Sequence, residues 1–149
     1  MIRPGAILYG MKSFESECIT VEPVMAMQTR IARLCCLHLG EGVGYDLDWI
    51  ADRPSIIATL PFGYPRALGG KGYVTIRGHQ CPLVGILCMD QCVADVTDAP
   101  DVQEGGTAII YGDGTRNTLS VAEAAQLAGC NQNEILCRMA ALSAIVCER

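Results

Sequence analysis

A mainly β domain, a small barrel or sandwich with one or two short helices near its C-terminus, is the fold class that this sequence predicts. Three observations predict it. Short apolar, β-branched runs recur between glycine-rich turns, the pattern of half-buried strands. The stretch "GYVTIRGHQCPLV" holds two such runs around a tight turn. Ser120 followed by Glu123, with Gly129 behind them, marks the start and stop of a helix. The chain has 149 residues, enough for one core but too few for two, so a single β unit accounts for most of it.

Taken in order, "IRPGAILYGM" reads as a strand entering a turn, and the polar "KSFESE" as a connector near residues 11–18. Between Val21 and Leu39 strand and helix periodicities compete; the β-branched and aliphatic content favours a long strand, broken early at Pro23. "GEGVGYDLDW" is a glycine-rich loop that frees Tyr45 to face a site, and "SIIATLPFGY" a buried strand ending at a turn. The hairpin follows, with Arg77, Gly78 and His79 as its turn and Gly78 free to take positive φ. "GILCMDQCVADV", Gly85 to Val96, reads as one strand. After the acidic turn "TDAPDVQEGG" comes the short strand "GTAIIYG", then the helix "VAEAAQLAG" and a second short helix, "NQNEILCRMAAL", behind an Asn cap.

Composition excludes several functions. A formal charge of −5 without a Lys/Arg cluster argues against nucleic acid, because phosphate binding is driven by clustered cations. No uncharged apolar run approaches the roughly 18 residues of a membrane span, and no basic, apolar and small-residue segments follow Met1 in the order of a secretion signal. These features point to the cytoplasm. Nine cysteines, an odd count, read as reduced thiols, most of them small buried hydrophobes. A metal site at Cys88, Asp90 and Cys92 is disfavoured on a regular strand, where residues two apart stand about 6.7 Å apart, whereas two sulfurs on one zinc lie within about 4.6 Å. A thiol nucleophile, Cys88 for example, stays open but has no local His signature. "GEGVGY" lacks the strand and helix of a nucleotide loop. Lys12 and Lys71 are the only lysines, each beside flexible or glycine-rich sequence, so chemistry needing a desolvated lysine must draw it from elsewhere.

"RPGAILYG", "PVMAMQTRI", "GVGY", "FGYPRAL", "VGILCMDQCVADVTD", "LSVAEAAQLAG" and "NEILCR" occur in the order found in the C-terminal part of alanine racemases, including serine racemases linked to vancomycin resistance, and the chain resembles that family from about Arg3 to Arg138. The resemblance implies a fold-type III enzyme dependent on pyridoxal phosphate (PLP), an isomerase that interconverts L- and D-amino acids for cell-wall precursors. Residues 1–18 resemble the last strand of an N-terminal (β/α)8 barrel and the linker, and residues 19–149 the C-terminal β domain. Two subunits of the family pair head to tail, and each site joins one barrel to the partner's β domain. The Schiff-base lysine sits on the barrel and has no counterpart in this sequence, so the resemblance implies that the chain is inactive alone and does not hold PLP covalently.

Residue by residue, Arg3 resembles the arginine facing the pyridine nitrogen, and Gly5 and Ala6 resemble residues whose main-chain N–H groups help hold the cofactor phosphate. Tyr45 resembles the catalytic tyrosine, which exchanges the α-proton on one face of the substrate while the lysine serves the other. Phenols ordinarily ionise near pKa 10, so the role requires charged neighbours from the barrel. Met89 resembles the residue whose main-chain N–H meets the substrate carboxylate; such a donor is available only where strand pairing is locally broken.

The sequence also departs from the family. "PFGYPRAL" is shorter than the usual "PIGYADGYPRAL", so Tyr64 matches either of two tyrosines. Ile86 stands where a strand arginine is common, which removes a partner for Asp90 and Arg66. Asp46 and Asp48 replace the usual Gly and Thr after "GVGY", and Ala141 falls where a tyrosine or asparagine distinguishes alanine from serine racemases. The alternative to a racemase half is a diverged, non-catalytic β domain for dimerisation or binding.

Overall fold

The computed structural model describes residues 1–12, 18–63, 72–140 and 146. Tyr64, Arg66, Lys71, Ala141 and most of the connector lie outside the described residues. Among the described residues nine strands and two α-helices follow one another: β1 (Met27–Arg30), β2 (Arg33–Leu37), β3 (Gly42–Val43), β4 (Trp49–Ile50), β5 (Ser55–Leu60), β6 (Tyr73–Ile76), β7 (His79–Val84), β8 (Cys92–Asp95), β9 (Thr107–Tyr111), α1 (Val121–Ala128) and α2 (Gln132–Ala140). Among the described residues no helix is long and apolar enough to cross a membrane.

Seven strands form an antiparallel sheet in the order β1-β9-β6-β7-β8-β5-β2. Its two outermost strands are consecutive in the chain. The segment from Met27 to Leu37 pairs with β9 through its first half and with β5 through its second. At the changeover Ile31 N–H donates to the Gly106 carbonyl at 2.8 Å, and Ala32 N–H donates to Thr59 at 2.9 Å. The sheet therefore curls until its ends meet in one kinked strand, the barrel alternative. The break comes at Ile31 rather than Pro23, because the buried Ile31 must face inward while the chain changes neighbours.

The core shows why these runs are strands. Cys92, Ala94 and Val96 are buried at alternate positions, and Ala58, Leu60, Val74, Ile76, Ala108 and Ile110 complete the interior. Ala58 and Ala94, both fully buried, are register partners, so β5 and β8 meet there over two small side chains. Val121, Ala124 and Ala125 of α1 and Ile135 of α2 close the same core. Ser120 caps α1 reciprocally with Glu123, Gly129 ends it at φ 64°, and Asn131 Oδ1 accepts the Glu134 N–H at 2.9 Å before α2.

Several expectations are corrected. The segment Gly5–Tyr9 is a 3-10 turn, not a strand, with Gly5 and Gly10 at positive φ on either side of it. In the hairpin Ile76 pairs with His79, which leaves a two-residue turn, Arg77 and Gly78, both at positive φ; His79 belongs to β7. "GILCMDQCVADV" is not one strand: Gly85 takes φ 67°, pairing stops, and only Cys92–Asp95 is β. Among the described cysteines only Cys81 and Cys92 are buried, whereas Cys18, Cys35, Cys36 and Cys137 are exposed. β2 exposes Cys35 and Cys36 because it ends the sheet order and pairs with β5 alone.

Candidate functional site

Tyr45 rides on the tip of a small hairpin. Gly42 pairs with Ile50 and Val43 with Trp49, and bonds from Gly40 N–H to Ala51 and from Ala51 N–H to Glu41, both 2.8 Å, close its base. Glu41 accepts the His38 main-chain N–H at 2.7 Å, which holds its carboxyl below the usual carboxylate range. At the tip Asp46 and Leu47 take φ 57° and 52°, and Asp48 N–H closes the turn on Tyr45 O at 3.2 Å. Two successive left-handed residues suit glycine or asparagine, so Asp46 and Leu47 hold the tip under strain. The Tyr45 side chain stands 57% exposed.

Met89 sits on a second turn, between β7 and β8. Cys88 N–H donates to the Gln91 carbonyl at 3.0 Å, which puts Met89 and Asp90 at the tip. Met89 is 72% exposed, and among the described residues its own N–H has no hydrogen-bond partner. Pairing is thus broken at the turn that carries Met89. Beyond the turn the chain is tied down: Asp95 Oδ1 accepts from Thr97 N–H, Thr97 Oγ1 accepts the Ile56 N–H, and Asp98 pairs with Arg53. That pairing lowers the Asp98 carboxyl.

Glycines weld the two turns. A Cβ on Gly44 would lie 3.0 Å from Ile86 N and 3.1 Å from the Gly85 Cα, and one on Gly85 would lie 3.1 Å from Val43 O and 3.3 Å from the Gly44 Cα. Both residues also take positive φ, at 84° and 67°. A side chain at either glycine would crowd the facing main chain, so the backbone leading to Tyr45 lies directly on the backbone leading to Met89. On these two segments Tyr45, Leu47, Ile50, Ile86 and Met89 make up an exposed apolar set, with Leu47 and Ile50 both against Gly42. Asp46, Asp48 and Asp90 border it, and among the described residues none of the three forms an ion pair.

Arg3, Gly5 and Ala6 belong to a different segment, the one before β1. Their 3-10 turn is anchored by Gly10, whose Cα lies against the Glu22 and Pro23 backbone, by the buried Met11, and by a bond from Val24 N–H to Tyr9 O. Arg3 and Gly5 are exposed, and Ala6 packs against the core. The structure thus brings the loop of Tyr45 onto the loop that leads to Met89 and seats the other three residues on the segment before β1. None of the five lines the groove of about 1130 Å³ beside β1, β9 and the Arg77–Gly78 turn.

Among the described residues no three His, Cys, Asp or Glu side chains are grouped to hold an ion. Burial pushes the Cys81 thiol up to about 11 and the Cys92 thiol higher still, so neither is a ready nucleophile. Gly44, Gly63 and Gly85 are the residues that sequence reasoning passed over, although each stands beside a segment already singled out.

The family model described as alanine racemase, C-terminal domain, matches residues 24–146. Alanine racemase of Halothermothrix orenii is 38% identical over 92% of this chain, and alanine racemase 1 of Clostridium acetobutylicum is 36% identical over 91%. The chain spans only 38% and 37% of their lengths. Alanine racemase of Clostridium difficile in complex with cycloserine superposes with a TM-score of 0.82 at 26% identity, over 90% of this chain and 36% of that one. The Bartonella henselae enzyme, solved with covalently bound pyridoxal phosphate, gives 0.79 at 27%, over 90% and 38%. On this match the chain belongs to the alanine racemase C-terminal domain family.

Proposed function

We propose that this chain is the C-terminal part of a PLP-dependent racemase that interconverts L- and D-alanine, or serine, for cell-wall precursors in the cytoplasm. In this reading residues 1–18 are the end of a barrel and its linker, and residues 19–149 are the β domain. The observation that carries it is the weld: Gly44 and Gly85 bring two loops into backbone contact, one continuing to an exposed tyrosine and the other to a main-chain donor without a partner among the described residues. Proton exchange at an α-carbon needs both a group that moves the proton and one that fixes the carboxylate.

Tyr45 is the proton-transfer group through its phenolic oxygen, and the Met89 N–H receives the carboxylate. Arg3 presents a permanent cation, and the Gly5 and Ala6 N–H groups, without partners among the described residues, match the acceptor oxygens of a phosphate. These donors fit PLP, which when bound supplies the electron sink that makes an α-proton removable. The lysine comes from an N-terminal (β/α)8 barrel, absent from the described residues, and a head-to-tail homodimer brings Tyr45 to the partner's barrel. The exposed apolar set around Tyr45 is the surface that meets it.

The test is to mix the chain with a family barrel domain carrying the Schiff-base lysine and PLP, and to follow D-alanine formation. Turnover should need both parts and should fall about 10²- to 10⁴-fold in Tyr45→Phe. Activity that persists in Tyr45→Phe sinks the tyrosine's role. A complex that forms without turnover supports the second reading, a non-catalytic docking domain, which the same exposed apolar set also favours.

A further inference from the structure

Gly63 follows β5 and the buried Phe62 and is itself buried. A Cβ there would fall inside the van der Waals envelope of three atoms, the carbonyl oxygen and carbon of Met89 and the carbonyl oxygen of Cys88. All three are backbone, so no side-chain rotation relieves the clash. The Met89 turn therefore lies flat on the Gly63 main chain. Of the peptide joining Cys88 to Met89, the oxygen is the atom that meets Gly63. Cis peptides are absent among the described residues, and in a trans peptide the N–H lies on the edge opposite the oxygen. The Met89 N–H is thus held on the side remote from Gly63, where it has no partner among the described residues.

We infer that Gly63 is a positioning residue: its bare Cα is the platform that fixes the Cys88–Met89 peptide with its N–H facing outward, ready for a carboxylate. The inference rests on the racemase reading for the identity of that carboxylate, but the platform itself is a property of this chain. Gly63 acts through Met89 and touches no substrate. An added methyl has to lift or rotate the turn, and the donor loses its aim.

The test uses Gly63→Ala in the chain assembled with barrel and PLP. KM for alanine should rise about tenfold while kcat changes less than about threefold, because the carboxylate contact is made in both ground and transition states. Inhibition by propionate, which offers the carboxylate without the amine, should weaken by a similar factor. A variant that lowers kcat or the folded fraction while KM and propionate inhibition stay put overturns the proposal. If the unmutated assembly is inactive, the racemase reading fails, and amide exchange on the 149-residue chain decides the platform instead. The same measurement decides if Gly63→Ala does not fold. There the Met89 amide should exchange at nearly the unprotected rate while Cys88, bonded to Gln91, is slowed. A protected Met89 amide overturns the proposal.

Discussion

The start of α1 and the Met89 turn pose the same problem and solve it in opposite ways. Each brings main-chain N–H groups to the surface without partners inside its own element. At α1, Ser120 Oγ accepts the Glu123 N–H at 3.2 Å, and the Glu123 carboxylate accepts the Ser120 N–H at 2.9 Å. At Met89 nothing among the described residues answers the donor, and the turn is braced from below by Gly63 and beside it by Gly85 and Gly44. The difference teaches how this domain divides its labour: the donors at the start of α1 are closed by nearby side chains, whereas the Met89 donor is held in place without a partner among the described residues.

Substitutions can break or sharpen that contrast. Leu60, fully buried and paired with Cys92 where β8 leaves the Met89 turn, sets the scale of the closed interior. Leu60→Ala should cost about 2–5 kcal/mol in urea unfolding. Ser120→Ala should cost about 1 kcal/mol by the same measurement. The cap is also pH-dependent. Hydrogen bonds from Ser120 lower the Glu123 carboxyl, so its contribution is fully present above the unfolded value of about 4.3 and is lost as pH falls through the lower folded value. Melting curves from about pH 6 to 2 should lose less stability in Glu123→Gln than in the parent chain. The smallest effect belongs to the open turn: Met89→Ala should change stability by less than about 0.5 kcal/mol, since the exposed thioether holds nothing in place. A loss there as large as that of Ser120→Ala would make the turn a structural element and remove the contrast.

The same division decides what was legible in the sequence. The β6–β7 hairpin and the caps at Ser120, Gly129 and Asn131 were readable because each is written within a few residues, by a turn that admits positive φ or by a side chain reaching its own neighbours. The turn inside "GILCMDQCVADV" was not. Its apolar and thiol residues have strand composition, and the break at Gly85 depends on contact with Gly44, far away in the chain. The segment before β1 misled for a related reason, since Gly10 bends only because the Glu22–Pro23 backbone lies against it. Tyr45 and Met89 were named through family resemblance; that their loops touch is a property of the fold. Gly63 carried no signal of its own, because a glycine that a distant peptide rests on looks like any other glycine in a turn.

The kinked strand that ends the sheet on both sides also has a consequence in time. Met27–Arg30 pairs with residues 107–111, whereas Arg33–Leu37 pairs with residues 55–60, so one strand waits on two partners that leave the ribosome at very different moments. The nearer partner is available early, but the curl closes only after β9 has been made. Such distant pairing places the domain among proteins that fold in about milliseconds to seconds rather than microseconds. Until β9 is made, the Met27 half of the strand lacks its partner and is an unpaired edge of the kind that invites premature contacts.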